Sequence, residues 1–175
     1  MDGLATLRSP RARLLLGLTA AVALAILLDH AAQLQALLLP LQRLTASATF
    51  AIVSLTGLEI SLDGILLSHP DGFRIAISYG CTPVVPAIFI VSLLTVGLHL
   101  TLRERLAGLA IGITLITLLN LFRVAGLYYI GVATPHAFAI AHEWLGEAVI
   151  VVGTAAVVAY WVRVAASEPL AANST

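Results

Sequence analysis

Cys81, Arg123 and His142 are the residues in this chain whose types suit chemistry, and they are far apart in sequence. Cys81 is the single cysteine, so no disulfide within the chain can form, and it is either a small apolar filler or a reactive thiol. Its context, Tyr79-Gly80-Cys81-Thr82-Pro83, reads as a turn running into a helix, with Thr82 as N-cap and Pro83 at the first helical position. A helix N-terminus favours a thiolate over a thiol. Arg123 lies inside an apolar run, where an arginine costs at least ~2.5–3.5 kcal/mol. It either snorkels to the surface or serves a polar pocket, and Asn120, three residues earlier on the same helical face, favours the pocket. His142 opens an apolar run whose face continues through Gly146, Val149 or Ile150, and Gly153, a small-residue stripe suited to close helix packing. Glu143 and Glu147 are both near enough to orient its ring, and His136 competes with it from the preceding loop, whereas His99 is expected at the opposite end of the helices.

The elements that must position these residues are membrane helices. The chain has 175 residues, is 60% hydrophobic and only 10% charged, far below the ~25% charged residues of soluble domains. At ~20 residues per crossing it holds four or five spans in a single integral membrane domain and little else. A basic start, residues 1–13 with Arg8, Arg11 and Arg13, precedes the apolar run Leu14 to Leu28, which reads as an uncleaved anchor rather than a signal peptide. The aliphatic stretch resumes from Ala31 to Leu39. Residues 41–57 are short and rich in Thr and Ser, and read as a helix at the membrane interface.

Residues 58–79 change period. Alternating Leu58 to Leu62, the turn Asp63-Gly64, a strand from Ile65 to Leu67, the turn His69 to Gly72 and alternating Phe73, Ile75 and Ile77 predict a small β-meander outside the bilayer. Three more crossings follow, at roughly 83–102, 106–130 and 142–162, and Arg103-Glu104-Arg105 is read as the charged stop between the first two. The tail 164–175 is short and polar. The predicted fold class is therefore an all-α polytopic bundle of about four transmembrane helices, with an interfacial helix and a small extracytoplasmic meander.

Orientation follows from the arginines. With both termini in the cytoplasm, Arg8, Arg11, Arg13, Arg103, Arg105 and Arg163 all lie inside, leaving Arg43 and Arg74 outside. Cys81 and His142 then start their helices at the outer face, and Arg123 lies about seven residues below it, ~10 Å deep. All three residues share one layer.

Other chemistries find little purchase. A formal net charge of zero offers no basic face for nucleic acid. No phosphate-cradling glycine loop or dinucleotide fingerprint is present, so no cofactor is expected. His136, His142 and Glu143 include ligand types for zinc, but no HExxH pair occurs, so no metal is expected. Gly108-x-x-x-Gly112 reads as a helix-packing feature.

Gly80-Cys81-Thr82, then Asn120-Leu121-Phe122-Arg123-Val124, then His142 with Gly146, together with the β-like segment 58–79, resemble the exosortase/archaeosortase family over roughly residues 55–155. Those are multi-pass membrane cysteine transpeptidases or proteases. The family often has a small residue after Cys-Ser/Thr where Pro83 stands here, and this chain resembles a minimal core of its larger members. The resemblance implies Cys81, Arg123 and His142 as catalytic residues, with Asn120, Thr82 and Tyr79 in support. It implies an exported protein substrate with a C-terminal sorting signal of short motif, hydrophobic helix and basic end, processed at the outer face of the cytoplasmic membrane. Two readings compete with it: a membrane scaffold or transporter subunit in which Arg123 binds an anion or a helix, and a metalloprotease using His136 and His142.

Overall fold

The computed structural model describes residues 10–31, 36–97 and 100–167. Arg8, the stretch 32–35, His99 and the tail beyond 167 lie outside the described residues. In chain order the elements are α1 (Pro10–His30), α2 (Leu39–Ser54), β1 (Ser61–Asp63), β2 (Leu66–Ser68), β3 (Arg74–Ala76), a 3-10 turn (Tyr79–Cys81), α3 (Val84–Ser92) running into a π-helical turn (Leu93–Gly97), α4 (Leu102–Ala133), a 3-10 turn (Pro135–Ala137), α5 (Phe138–Ile140), a second π-helical turn (Ala141–Gly146) and α6 (Glu147–Ser167).

Three helical stretches, Ala12–His30, Leu102–Ala133 and Pro135–Val164, are long and apolar enough to cross a membrane. The fourth apolar helix, Val84–Val96, is shorter, ~20 Å at 1.5 Å per residue, against a hydrocarbon core of ~30 Å. Leucine and isoleucine side chains cover the outer faces: Leu15, Ile26 and Leu27 of α1, and Ile111, Leu115 and Leu118 of α4, are all exposed. Water would oppose that surface, and lipid favours it. This is a helical membrane protein.

The polarity of α2 is reversed in the same sense. Its buried face is Gln42, Thr45, Ala46, Thr49 and Val53, while Leu44 is 64% and Leu55 89% exposed. Its two threonines, Thr45 and Thr49, thus turn inward, while Ser47 and Ser54 are exposed; the buried face meets α4, the first two strands and the Cys81 turn. That is the arrangement expected where polar groups must avoid lipid.

The three strands form an antiparallel meander in the order β1-β2-β3, with Leu62 opposite Leu67 and Leu67 opposite Ile75. Gly64 and Gly72 adopt positive φ at the two turns, 63° and 98°, which explains the glycine at each. Leu67, Ile75 and Ile77 bury the sheet's inner face against Ala46 and Val53 of α2 and Val124, Ala125 and Tyr128 of α4. Thirty-two residues make α4 ~48 Å long, more than a bilayer requires, and the meander covers the surplus turns. The Tyr128 hydroxyl donates to the Glu59 carbonyl (3.2 Å), and Phe73 packs edge-on to Tyr128 and Phe138. At Gly131 a Cβ would fall inside the Phe73 ring. Gly131→Ala is therefore expected to lower stability by about 1–3 kcal/mol, the usual effect of overpacking. A fall in the thermal midpoint of the detergent-solubilised protein, with Gly126→Ala as the open-space control, would show it; equal midpoints would refute the packing.

The far half of the bundle holds a second apolar cluster, Ile90, Leu93, Leu94, Ile116 and Trp161. Gly108 meets Leu94 and Trp161, and Gly112 meets Ile90 and Val157, each Cβ position 3.0–3.4 Å from its neighbours, so the GxxxG stripe does pack helices.

Two boundaries differ from expectation. Arg103-Glu104-Arg105 begins α4 instead of ending α3, because Thr101 and Glu104 form a reciprocal capping box: the Glu104 N–H donates to Thr101 Oγ1 (3.3 Å) and the Thr101 N–H to Glu104 Oε2 (2.8 Å). The last helical stretch starts at Pro135, seven residues before His142, since proline pre-sets the first helical turn.

Candidate active site

The candidate site lies on α4 at the seam between the two apolar clusters, where Asn120 and Arg123 fall between Ile116 of one and Val124 of the other. Both polar residues are buried, and the Arg123 side chain is only 3% exposed. An arginine there must be met by acceptors, and they come from two directions. Nη1 donates to the Gly80 carbonyl (3.3 Å) and approaches Asn120 Oδ1 (3.5 Å). Nη2 donates to Glu147 Oε1 (2.9 Å), closing an ion pair between α4 and α6. Asn120 Nδ2 donates to the Cys81 carbonyl (2.8 Å). Consecutive backbone carbonyls of the Cys81 turn are thus held by consecutive polar positions on one face of α4.

Nε of Arg123 is buried with no partner among the described residues. It sits against Gly146, where a Cβ would come within 2.8 Å. The small-residue face expected for this helix does meet α4, through Gly146 against Arg123 and Gly153 against Leu119. Gly146 ends the π-helical turn Ala141–Gly146, a wide turn of a kind that recurs at functional sites.

Cys81 is 2% exposed and packed in the sheet-side cluster. Its Sγ lies 3.7 Å from Ser78 Oγ. The residue belongs to its own 3-10 turn, and the N-cap of α3 is Pro83, not Thr82. Thr82 makes no cap: its hydroxyl turns back to the Tyr79 carbonyl (2.5 Å) and closes the turn. The Tyr79 hydroxyl donates to the Asp29 carboxylate, tying the turn to the end of α1. That hydrogen bond, aided by partial burial, pushes the phenol above its ordinary pKa, so Tyr79 remains a neutral donor at physiological pH.

The structure therefore brings Tyr79, Gly80, Cys81, Thr82, Asn120 and Arg123 together. His142 is half-buried and stacks on Phe138 (ring centroids 5.7 Å apart), and Phe138 packs against the cluster that holds Cys81. No hydrogen bond joins His142 to Cys81 or Arg123 among the described residues. His136 is exposed. Glu147, one of two candidates to orient the imidazole, is instead the partner of Arg123. A charge balance inside the membrane points to that pair, since an intramembrane acid and base tend to find each other.

A cavity of about 510 Å³ opens from this site. Tyr79, Asn120, Arg123 and Glu147 form its polar end, and Leu18, Val85, Phe89, Val151 and Val158 carry it along the apolar part of the bundle.

The transmembrane exosortase family model matches residues 3–161, nearly the whole chain. The protein belongs to that family and is a membrane-embedded protein of the exosortase type, a family associated with cysteine transpeptidase and protease chemistry. No curated protein and no solved structure matches it.

Proposed function

We propose that this protein is a membrane cysteine protease or transpeptidase that removes the C-terminal sorting tail of exported proteins at the outer face of the cytoplasmic membrane, with both of its own termini inside. The observation that carries the reading is the anchoring of the Cys81 turn: Asn120 and Arg123 hold its carbonyls inside a membrane helix layer, where such polar groups are costly unless used.

In this mechanism the Cys81 sulfur attacks the scissile carbonyl and its proton passes to His142. The carbonyl electron pair moves onto oxygen, facing Arg123, and low dielectric strengthens that attraction. Collapse breaks the C–N bond, the amine leaves with the proton from His142, and a thioester remains. Water or an acceptor nucleophile releases the product. His142 is preferred over His136 because it is half-buried on the wide turn that also cradles Arg123, and a base–nucleophile contact often closes only when substrate is bound. The cavity supports a tail of this kind: its apolar part has room for a few side chains of a hydrophobic helix, and its polar end adjoins the Cys81 turn through Gly80 and Thr82.

The test is processing in membranes of a co-expressed reporter ending in a short motif, an apolar helix and a basic tail taken from an exported protein of the same organism. Tail removal should stop on treatment with a thiol alkylator and persist with a chelator. The reverse pattern supports a His-based metalloprotease, and an unchanged tail throughout supports a scaffold. Gly146→Ala should slow processing about 10-fold or more in the same assay, because its methyl displaces a pinned guanidinium by a fraction of an ångström. Unchanged processing would show that the Arg123 position does not matter.

A further inference from the structure

Glu147 stands in the cavity beside the Cys81 turn, and only one of its two carboxylate oxygens is engaged. Oε1 accepts from Arg123 Nη2 (2.9 Å), while Oε2 has no hydrogen-bond partner among the described residues, and the side chain is exposed. The same guanidinium donates through Nη1 to the Gly80 carbonyl (3.3 Å), so a single guanidinium separates the carboxylate from the turn that carries Cys81. Gly80, Thr82, Arg123 and Glu147 all line the one cavity. From Glu147 its wall continues along α6 through Val151, Thr154, Ala155 and Val158, a stripe on one helical face about 16 Å long at 1.5 Å per residue. Thr154 turns its hydroxyl back to the Ile150 carbonyl (2.7 Å), so the stripe offers no free polar group below Glu147. Val151 and Ala155 are exposed, which opens this wall toward lipid.

An apolar wall with a half-free carboxylate at its head selects what can lie on it. A helix placed along the stripe sets apolar side chains against α6 and brings its first N–H groups, which have no acceptor within the helix, to the carboxylate. We propose that Glu147 is the leaving-group site: Oε2 accepts a hydrogen bond from the nitrogen of the scissile bond and, after cleavage, holds the new α-ammonium of the tail. The inference rests on the tail-removal reading above. When the C–N bond breaks, its electron pair goes to nitrogen, which takes the proton from His142 and becomes an amine; a second proton from water makes it an ammonium beside the carboxylate. Arg123 faces the oxygen that gains negative charge and Glu147 the nitrogen that gains positive charge, so the ion pair matches the charge separated in this step.

The experiment measures binding of the tail to the full chain in nanodiscs at pH 7, where an α-amino group is mostly protonated. The probe is the reporter's tail from its cleavage point onward, labelled at the basic end and made in two forms, with a free amino terminus and N-acetylated. Fluorescence anisotropy, corrected for empty nanodiscs, gives Kd for each. The free amine should bind wild type about 10-fold more tightly than the acetylated form. Glu147→Gln, whose amide oxygen still accepts from Arg123, should bring the two within about twofold by weakening the free amine alone, and Glu147→Asp should keep most of the preference. A carboxylate that serves only as the partner of Arg123 predicts equal binding of both forms by wild type, and that result overturns the inference without any variant. A preference that survives in Glu147→Gln overturns it too. Equal binding of both forms leaves the tail-removal reading standing, whereas binding of neither removes that reading and this inference with it.

Discussion

Cys81→Ala is expected to abolish tail removal, with a loss of at least about 10³-fold set by the assay floor, while the protein accumulates and melts as wild type does. The size follows from the role, since a missing nucleophile takes away the covalent route altogether. The neutral effect on folding follows from the packing: Cys81 is a small side chain at 2% exposure, and its one side-chain hydrogen bond among the described residues is the weak 3.7 Å contact with Ser78 Oγ. What Arg123 and Asn120 hold are the backbone carbonyls of Gly80 and Cys81, which alanine retains. Folding and catalysis should therefore separate at this residue. Processing and accumulation, measured side by side by gel shift and by immunoblot, check it. Activity close to wild type in Cys81→Ala would end the thiol reading.

At Arg123 the two should not separate. Arg123→Ala removes a guanidinium that bridges the Cys81 turn and Glu147, leaving the Gly80 carbonyl and the carboxylate without their donor. Breaking a buried ion pair by deleting one partner costs about 3–5 kcal/mol, and here the half-open position of Glu147, 59% exposed, calls for the lower part of that range. Turnover should fall about 10²–10³-fold as well, the weight of one donor to an oxyanion. Arg123→Lys separates charge from geometry: a lysine keeps the charge but lacks the planar fork that reaches Gly80 and Glu147 at once. It should recover much of the stability and little of the turnover. Full activity in Arg123→Lys would reduce the arginine to a point charge and remove the argument for its fork.

Asn120 and Arg123 were legible in the sequence because an apolar helix makes polar residues conspicuous, and Cys81 because it is the single cysteine, set in a Gly-Cys-Thr-Pro turn. Asn120 and Arg123 share a helical face by spacing alone, and that face is the one that meets the turn. The meander was legible for a similar reason, its period of two and its Asp-Gly turns standing out against helical runs. Nearness in sequence left Glu143 and Glu147 equally placed to orient His142, and spacing alone could not show that Glu147 pairs with Arg123, 24 residues away on another helix. Thr101 and Glu104 form a capping box that reads just as readily as the charged end of the helix before it. In α2 the Thr and Ser content was plain, but which face they occupied depended on α4 and the sheet packing against them.

The most direct test of the central claim is capture of the acyl-enzyme. Membranes holding the protein and its reporter are quenched in acid during turnover, and the Cys81 peptide is analysed by mass spectrometry with and without hydroxylamine. A reporter fragment joined to Cys81 through a bond that hydroxylamine cleaves is expected in wild type, reduced in His142→Ala because that histidine serves the acylation step, and absent in Cys81→Ala. Tail removal that proceeds at full rate while Cys81 remains unmodified at every time point would contradict it.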